Sequence, residues 1–140
     1  MGEVLFKDYS DEVKRMIKKL GVEWLYEASG EIESQVKQNT RVAEINGGQT
    51  KASWNYIVNE GKLEAQIGSR HQNAIWEEFG TGIHALGGDG RKDVPWTYKD
   101  EQGKWHKTKG KKPSRAFHFA YQTMKPKVIR SAHAKFGGMK

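Results

Sequence analysis

The chain contains no cysteine, which excludes disulfides and thiolate metal sites and makes a reducing compartment natural. No run approaches the ~20 apolar residues of a membrane span. Only 36% of the residues are apolar and mean hydropathy is −0.85, so no membrane partner is expected. Met1 to Phe6 has no signal-peptide pattern, and Phe6 stands where a myristoylation site needs Ser or Thr. The expectation is a soluble intracellular or virion-type protein. Its 140 residues suit one domain, a size that buries roughly two-thirds of the unfolded surface.

Catalytic patterns are equally scarce. The histidines His71, His84, His106, His118 and His133 include no i, i+4 pair and no HExxH, so no zinc site is expected. Gly80-Thr81-Gly82 is not followed by Gly-Lys-Ser/Thr at phosphate-loop spacing, and Gly110-Lys111-Lys112 lacks the hydroxyl residue. Glu77, Glu78, His84 and Asp89 can be drawn as a hydrolytic cluster, but solvated charge on a loop and a helix surface is the simpler reading. The sequence therefore points to a non-enzyme with no cofactor and no metal.

What is present is a local excess of positive charge. The net charge is +7. Between Arg91 and Arg115 stand nine basic residues and three acidic ones, so this window holds nearly the whole excess. Such concentration marks a local feature rather than general solubility.

Periodicity divides the rest. Val13, Ile17, Leu20, Trp24, Ala28, Ile32 and Val36 recur at steps of three or four, which predicts a helix from a Ser10 N-cap to about Lys37. Gly21 and Gly30 weaken it, with a kink expected near Gly30. Asn39 to Lys51 reads as a loop. Trp54, Tyr56 and Val58 alternate, as do Leu63, Ala65 and Ile67. A two-residue turn at Glu60-Gly61 would pair Val58 with Leu63, Tyr56 with Ala65 and Trp54 with Ile67 on one face. Asn73 to Phe79 reads as a short helix capped by Asn73, with Ile75, Trp76 and Phe79 on its apolar face and Gly80 at the C′ position. Trp96-Thr97-Tyr98 and Trp105-His106-Lys107 flank Asp100-Glu101-Gln102-Gly103, a second hairpin with Tyr98 opposite Trp105. Ser114 to about Phe136 carries a helical stripe of Phe117, Ala120, Tyr121, Met124, Val128 and Ala132, kinked or restarted at Pro126. The expected class is α+β: a long N-terminal helix, a small antiparallel sheet with a protruding hairpin arm over residues 83–112, and a C-terminal helix packed on the sheet.

The arm is where function is expected. Trp96, Tyr98 and Trp105 interleave with basic residues. This composition suits stacking on bases while neutralising phosphates, so a nucleic-acid-binding module using residues 91–115 is one reading. A thin ribbon with two exposed tryptophans is also a large apolar liability on a monomer, and docking on a protein partner is preferred. The predicted interface is Trp96, Tyr98, Trp105, His106, Lys107, Lys109, Lys111, Lys112 and Arg115.

The segments "IWEEFGTG", "WTYKDEQGKWHKTKG" and "KKPSRAFHFA", in this order before a final helix, resemble the head–tail joining (neck or tail-completion) family of tailed bacteriophages, often described as minor structural proteins. The resemblance covers roughly residues 52–136. It rests on Glu78-Phe79-Gly80-Thr81, a variable Gly-rich loop, and the Pro113-containing entry to Phe117 and the last helix. Many family members also carry a Thr-Gly-x-Leu element after the first helix, whereas Asn39-Thr40-Arg41-Val42 here lacks the glycine. The resemblance implies a non-enzymatic homo-oligomeric ring of six or twelve copies in the virion neck. That ring would be assembled in the cytoplasm of a bacterial host, between the head connector or head-closure proteins and the tail proteins. Double-stranded DNA would pass through its lumen. On this reading Phe79 is a buried anchor, Gly80 permits a backbone reversal, and Thr81 ties the turn with its side chain.

Overall fold

The computed structural model describes residues 8–41, 48–100 and 102–138. In chain order the elements are α1 (Ser10–Asn39), α2 (Gln49–Ser53), β1 (Asn55–Asn59), β2 (Glu64–Gly68), α3 (Gln72–Phe79), a 3-10 turn (Gly82–His84), β3 (Trp96–Lys99), β4 (Trp105–Thr108) and α4 (Ala116–Gly137). The fold is α+β, as the order of periodicities predicts. Within the expected loop Asn39–Lys51, the chain remains helical at Asn39 and becomes helical again at Gln49. Residues 42–47, Val42 of the family element among them, lie outside the described residues.

Helix α1 starts one position earlier than predicted, with Ser10 already inside it. Tyr9 holds the N-cap position and makes no side-chain cap. Asp8 supplies the acceptor instead, taking the Ser10 hydroxyl and, at 2.9 Å, the Ser10 N–H. These two bonds hold the Asp8 carboxyl below its ordinary range. Neither Gly21 nor Gly30 interrupts the helix. Neither is required by close approach, since a Cβ on Gly21 would stand 3.5 Å from Leu63 and one on Gly30 3.9 Å from Tyr56, both ordinary contact distances.

α4 runs antiparallel along α1. Asn39 donates to the Ala116 carbonyl at 3.1 Å at one end, and Lys135 pairs with Glu27 at 2.9 Å and Glu23 at 3.5 Å at the other. Between them Trp24 Nε1 donates to the Val128 carbonyl and to Ser131 Oγ, each at 3.0 Å. Twenty-two residues of α4 cannot cover thirty of α1; at 1.5 Å per residue the shortfall is about 12 Å. The apolar stripe of α1 is accordingly buried at Ala28, Ile32 and Val36, whereas Val13 and Ile17 are exposed. On α4, Ala116, Ala120, Met124 and Val128 are buried, but Tyr121 is exposed. α4 starts at Ala116 rather than Ser114 and passes Pro126 as one helix.

The first hairpin has the predicted faces and a different register. Tyr56 pairs with Ile67 and Val58 with Ala65, two residues away from the predicted pairing. An even slip preserves which side chains share a face, so Tyr56, Val58, Ala65 and Ile67 still turn inward. The loop is longer because Asn59 Oδ1 accepts the Lys62 N–H at 3.0 Å and Leu63 takes a left-handed conformation at φ 53°. Trp54 precedes the strand and enters the core directly. It stacks on Phe117 with ring centroids 5.8 Å apart. Phe117 and Ile67 both pack on the buried cluster, and through them α4 meets the sheet.

Candidate functional site: the clasp and its arm

The adjacent glutamates of α3 reverse the predicted faces of that helix. Ile75, Trp76 and Phe79 are 52%, 47% and 56% exposed, while Ala74 and Glu77 are buried. Phe79 is therefore not a buried anchor, and Glu77 is not solvated surface charge. Asn73 does not cap the helix; His71 occupies that position, and Asn73 instead donates to Thr50 Oγ1 at 2.9 Å. The signal for the inversion was present: Ala74, Glu77 and Glu78 also share a helical face, but a carboxylate there needs partners that only the fold supplies.

Those partners are Arg41 and Lys111. Arg41 donates to Glu77 Oε2 from Nε at 3.2 Å and from its terminal nitrogen at 2.8 Å, and Lys111 forms an ion pair with Oε1. Burial alone would raise the Glu77 carboxyl; hydrogen bonds from Lys111 and then Arg41, with their charges, outweigh it and hold the group below the ordinary range. The Glu77 carbonyl in turn accepts the Ser114 N–H at 2.6 Å and the Ser114 hydroxyl at 3.1 Å. Glu78 works beside it on α4. Its two oxygens accept the Phe117 and His118 N–H groups at 2.9 and 3.0 Å, satisfying orphan donors at the positive end of the helix dipole.

Gly80 and Thr81 complete a clasp between the two ends of the arm. Gly80 has φ 78°, and its N–H closes on the Trp76 carbonyl at 2.8 Å. A Cβ there would collide with the His84 carbonyl and with Pro113. Thr81 ties a turn as expected, but to the returning chain. Its N–H donates to the Lys111 carbonyl at 2.9 Å, and its Oγ1 accepts the Lys111 N–H at 2.8 Å. Ile83 N–H continues the pairing to the Lys109 carbonyl at 3.3 Å. Gly82 and Gly110 lie so close across this pairing that a Cβ on either would fall on the other's backbone. The predicted segments around Glu78–Thr81 and Lys112–Phe117 are thus brought together, with Arg115 in a left-handed turn at φ 56° just before α4.

Beyond the clasp the arm is a two-stranded ribbon on which, among the described residues, no other element packs extensively. Tyr98 pairs with His106 and Lys99 with Trp105, so the predicted Tyr98–Trp105 pairing is off by one. Asp100 sets the register. Its Oδ1 accepts the Gln102 and Lys104 N–H groups at 2.9 and 2.8 Å, and its Oδ2 stands 2.7 Å from His106 Nε2. The His106 bond, followed by that from Lys104, holds the Asp100 carboxyl below its usual range.

An odd slip exchanges faces. Trp96, Tyr98, His106 and Thr108 now share one face, with Tyr98 stacked on His106 at 5.2 Å. Thr97, Lys99, Trp105 and Lys107 share the other. Trp96 is half-buried at the base against Gly82, with the Arg91 guanidinium 5.3 Å from its ring centroid. Trp105 is 65% exposed, with Lys99 Nζ 5.8 Å from its ring. Of the predicted interface, Lys107, Lys109 and Lys112 are exposed and form no ion pair among the described residues, whereas Lys111 belongs to the clasp.

Among the described residues, no group of three or more His, Asp or Glu is placed to hold a metal, and no helix is long and apolar enough to cross a membrane. No protein-family model, curated protein or solved structure matches the chain.

Proposed function

We propose that the chain is a structural subunit of the neck of a tailed bacteriophage, non-enzymatic and repeated around the DNA channel as a ring of six or twelve copies between the head connector and the tail. The observation that carries this reading is the ribbon: it extends from the clasp and holds Trp105 65% exposed on a face that the described residues leave uncovered. Aromatic anchors of this kind tend to dominate protein interfaces, and head-to-tail contacts between copies close into rings. The sequence segments that resemble the head–tail joining family are those that build the clasp and the arm, which supports the same reading. Cryo-electron microscopy of the particle neck tests it. Repeated copies, each with its arm on the next, are expected; isolated copies without mutual contact would overturn it.

One observation favours a second reading, a nucleic-acid-binding module. Lys99 and Lys107 flank Trp105 on a single face, which suits a base on the indole and phosphates on the ammonium groups. That reading predicts retention on DNA that falls steeply with salt, and a loss of retention in Trp105→Ala.

A further inference from the structure

Between α3, β2 and the start of α4 lies an open apolar groove of about 210 Å³, walled by Trp54, Ile67, Ala74, Ile75, Phe79 and Phe117. Three features of it are unusual. Ile75 and Phe79 stand more than half exposed at its rim, on a helix whose charged residues are turned inward. Trp54 is buried, yet among the described residues its Nε1 has no hydrogen-bond partner, although a buried indole N–H ordinarily finds one. Glu78 adds a carboxylate to the lining.

Resting on the ring reading, we propose that this groove is the socket for the arm of a second copy, with Trp105 as the inserted side chain. The two surfaces match in chemistry. The socket offers apolar walls around a space suited to a single large side chain. The ribbon offers one indole standing clear of its own body. Glu78 at the socket faces a knob flanked by Lys99 and Lys107, so the charges are opposite.

Knob and socket are different patches of one surface, so the contact is heterologous and propagates from copy to copy. It is also small. One aromatic side chain buries about 150–250 Å², far below the roughly 1,200–2,000 Å² of a stable standard interface. Each contact is therefore weak alone and gains strength when the copies are held side by side.

The absence of cysteine makes the contact directly testable. Lys107→Cys, beside Trp105, and Ile75→Cys, at the socket rim, are made in separate copies, so a mixed disulfide reports contact between molecules. Mixed at high concentration in a glutathione buffer, the two variants should give the mixed dimer in clear excess over either homodimer. Adding Trp105→Ala to the first copy, or Phe79→Asp to the second, should abolish that excess. Ile57→Asp, on the outer face of the first hairpin, should not. All these side chains except the rim pair's inner edges face solvent, and circular dichroism verifies the fold of each variant.

A mixed link no more abundant than the homodimers, or one indifferent to Phe79→Asp, overturns the proposal. So does a Trp105→Ala variant that loses DNA retention while the mixed link persists, which would give the indole to nucleic acid. If the neck contains touching copies but the mixed link fails, the socket is wrong and the ring reading stands. If copies in the neck do not touch, both fall.

Discussion

Glu77 is the buried charge among the described residues, and it sits where the arm returns to the body. Removing it by Glu77→Ala strips the charge-assisted bonds of Arg41 and Lys111 and should cost about 1.5–3 kcal/mol of stability, read as a lower melting temperature. The pH dependence has a definite sign. The folded carboxyl titrates below its ordinary value of 4.5. Its contribution is therefore full above pH 4.5 and is lost as the pH falls through the lowered folded value. Acid melts of wild type and Glu77→Gln should converge in that range, because the variant has no proton to take up there. A gap that is unchanged from neutral pH down to acid would show that the ion pairs contribute nothing. None of this could be read from "WEEF", since the helix offers two possible inward faces. The apolar one looks better by composition, and only the distant Arg41 and Lys111 make the acidic one affordable.

At the scale of elements, α4 passes Pro126 unbroken, although an interior proline removes a helix hydrogen bond and costs about 3 kcal/mol against alanine. Pro126 is exposed, so Pro126→Ala should raise the melting temperature with no new contact; no increase would mean that the helix is already relaxed around it. The arm is separable in the opposite sense. No buried core residue lies in the ribbon, so replacing Trp96–Lys107 with a short Gly-Ser bridge should leave the melting transition and helical circular dichroism close to wild type. Loss of the fold would place the arm in the core. The two hairpins also show what the sequence can determine. In the first, alternation of Tyr56, Val58, Ala65 and Ile67 against a core ties each residue to a face, and the actual register differs only by a slip that respects those faces. In the ribbon neither face meets a core, so alternation selects nothing. The choice falls to the Asp100 side chain, and a one-residue difference sends Trp105 to the lysine side. The helices were legible because their stripes are long. The clasp was legible only as motifs, because its bonds join residues about thirty positions apart.

For the whole molecule, charge and apolar surface are laid out unevenly. Residues 20–36 of α1 hold four glutamates and no lysine or arginine, while residues 91–115 carry most of the positive excess. Lysines around the arm divide by role. Neutralising Lys107, Lys109 and Lys112 together should weaken the proposed assembly more at low salt than at high salt, because exposed charges are screened over about 10 Å at 0.1 M. It should leave the monomer's melting temperature unchanged. Lys111→Gln should do the reverse, lowering stability through Glu77; equal behaviour of all four would show that Lys111 is not part of the clasp. The clasp has one more consequence. Thr81 and Ile83 bond directly to Lys111 and Lys109, so everything between leaves and rejoins the body at one point. Loop length adds only slowly to closure entropy, so the intervening segment is an interchangeable insert. Its length, tip and charge can be exchanged wholesale, or a foreign loop grafted in, while the same scaffold folds beneath it.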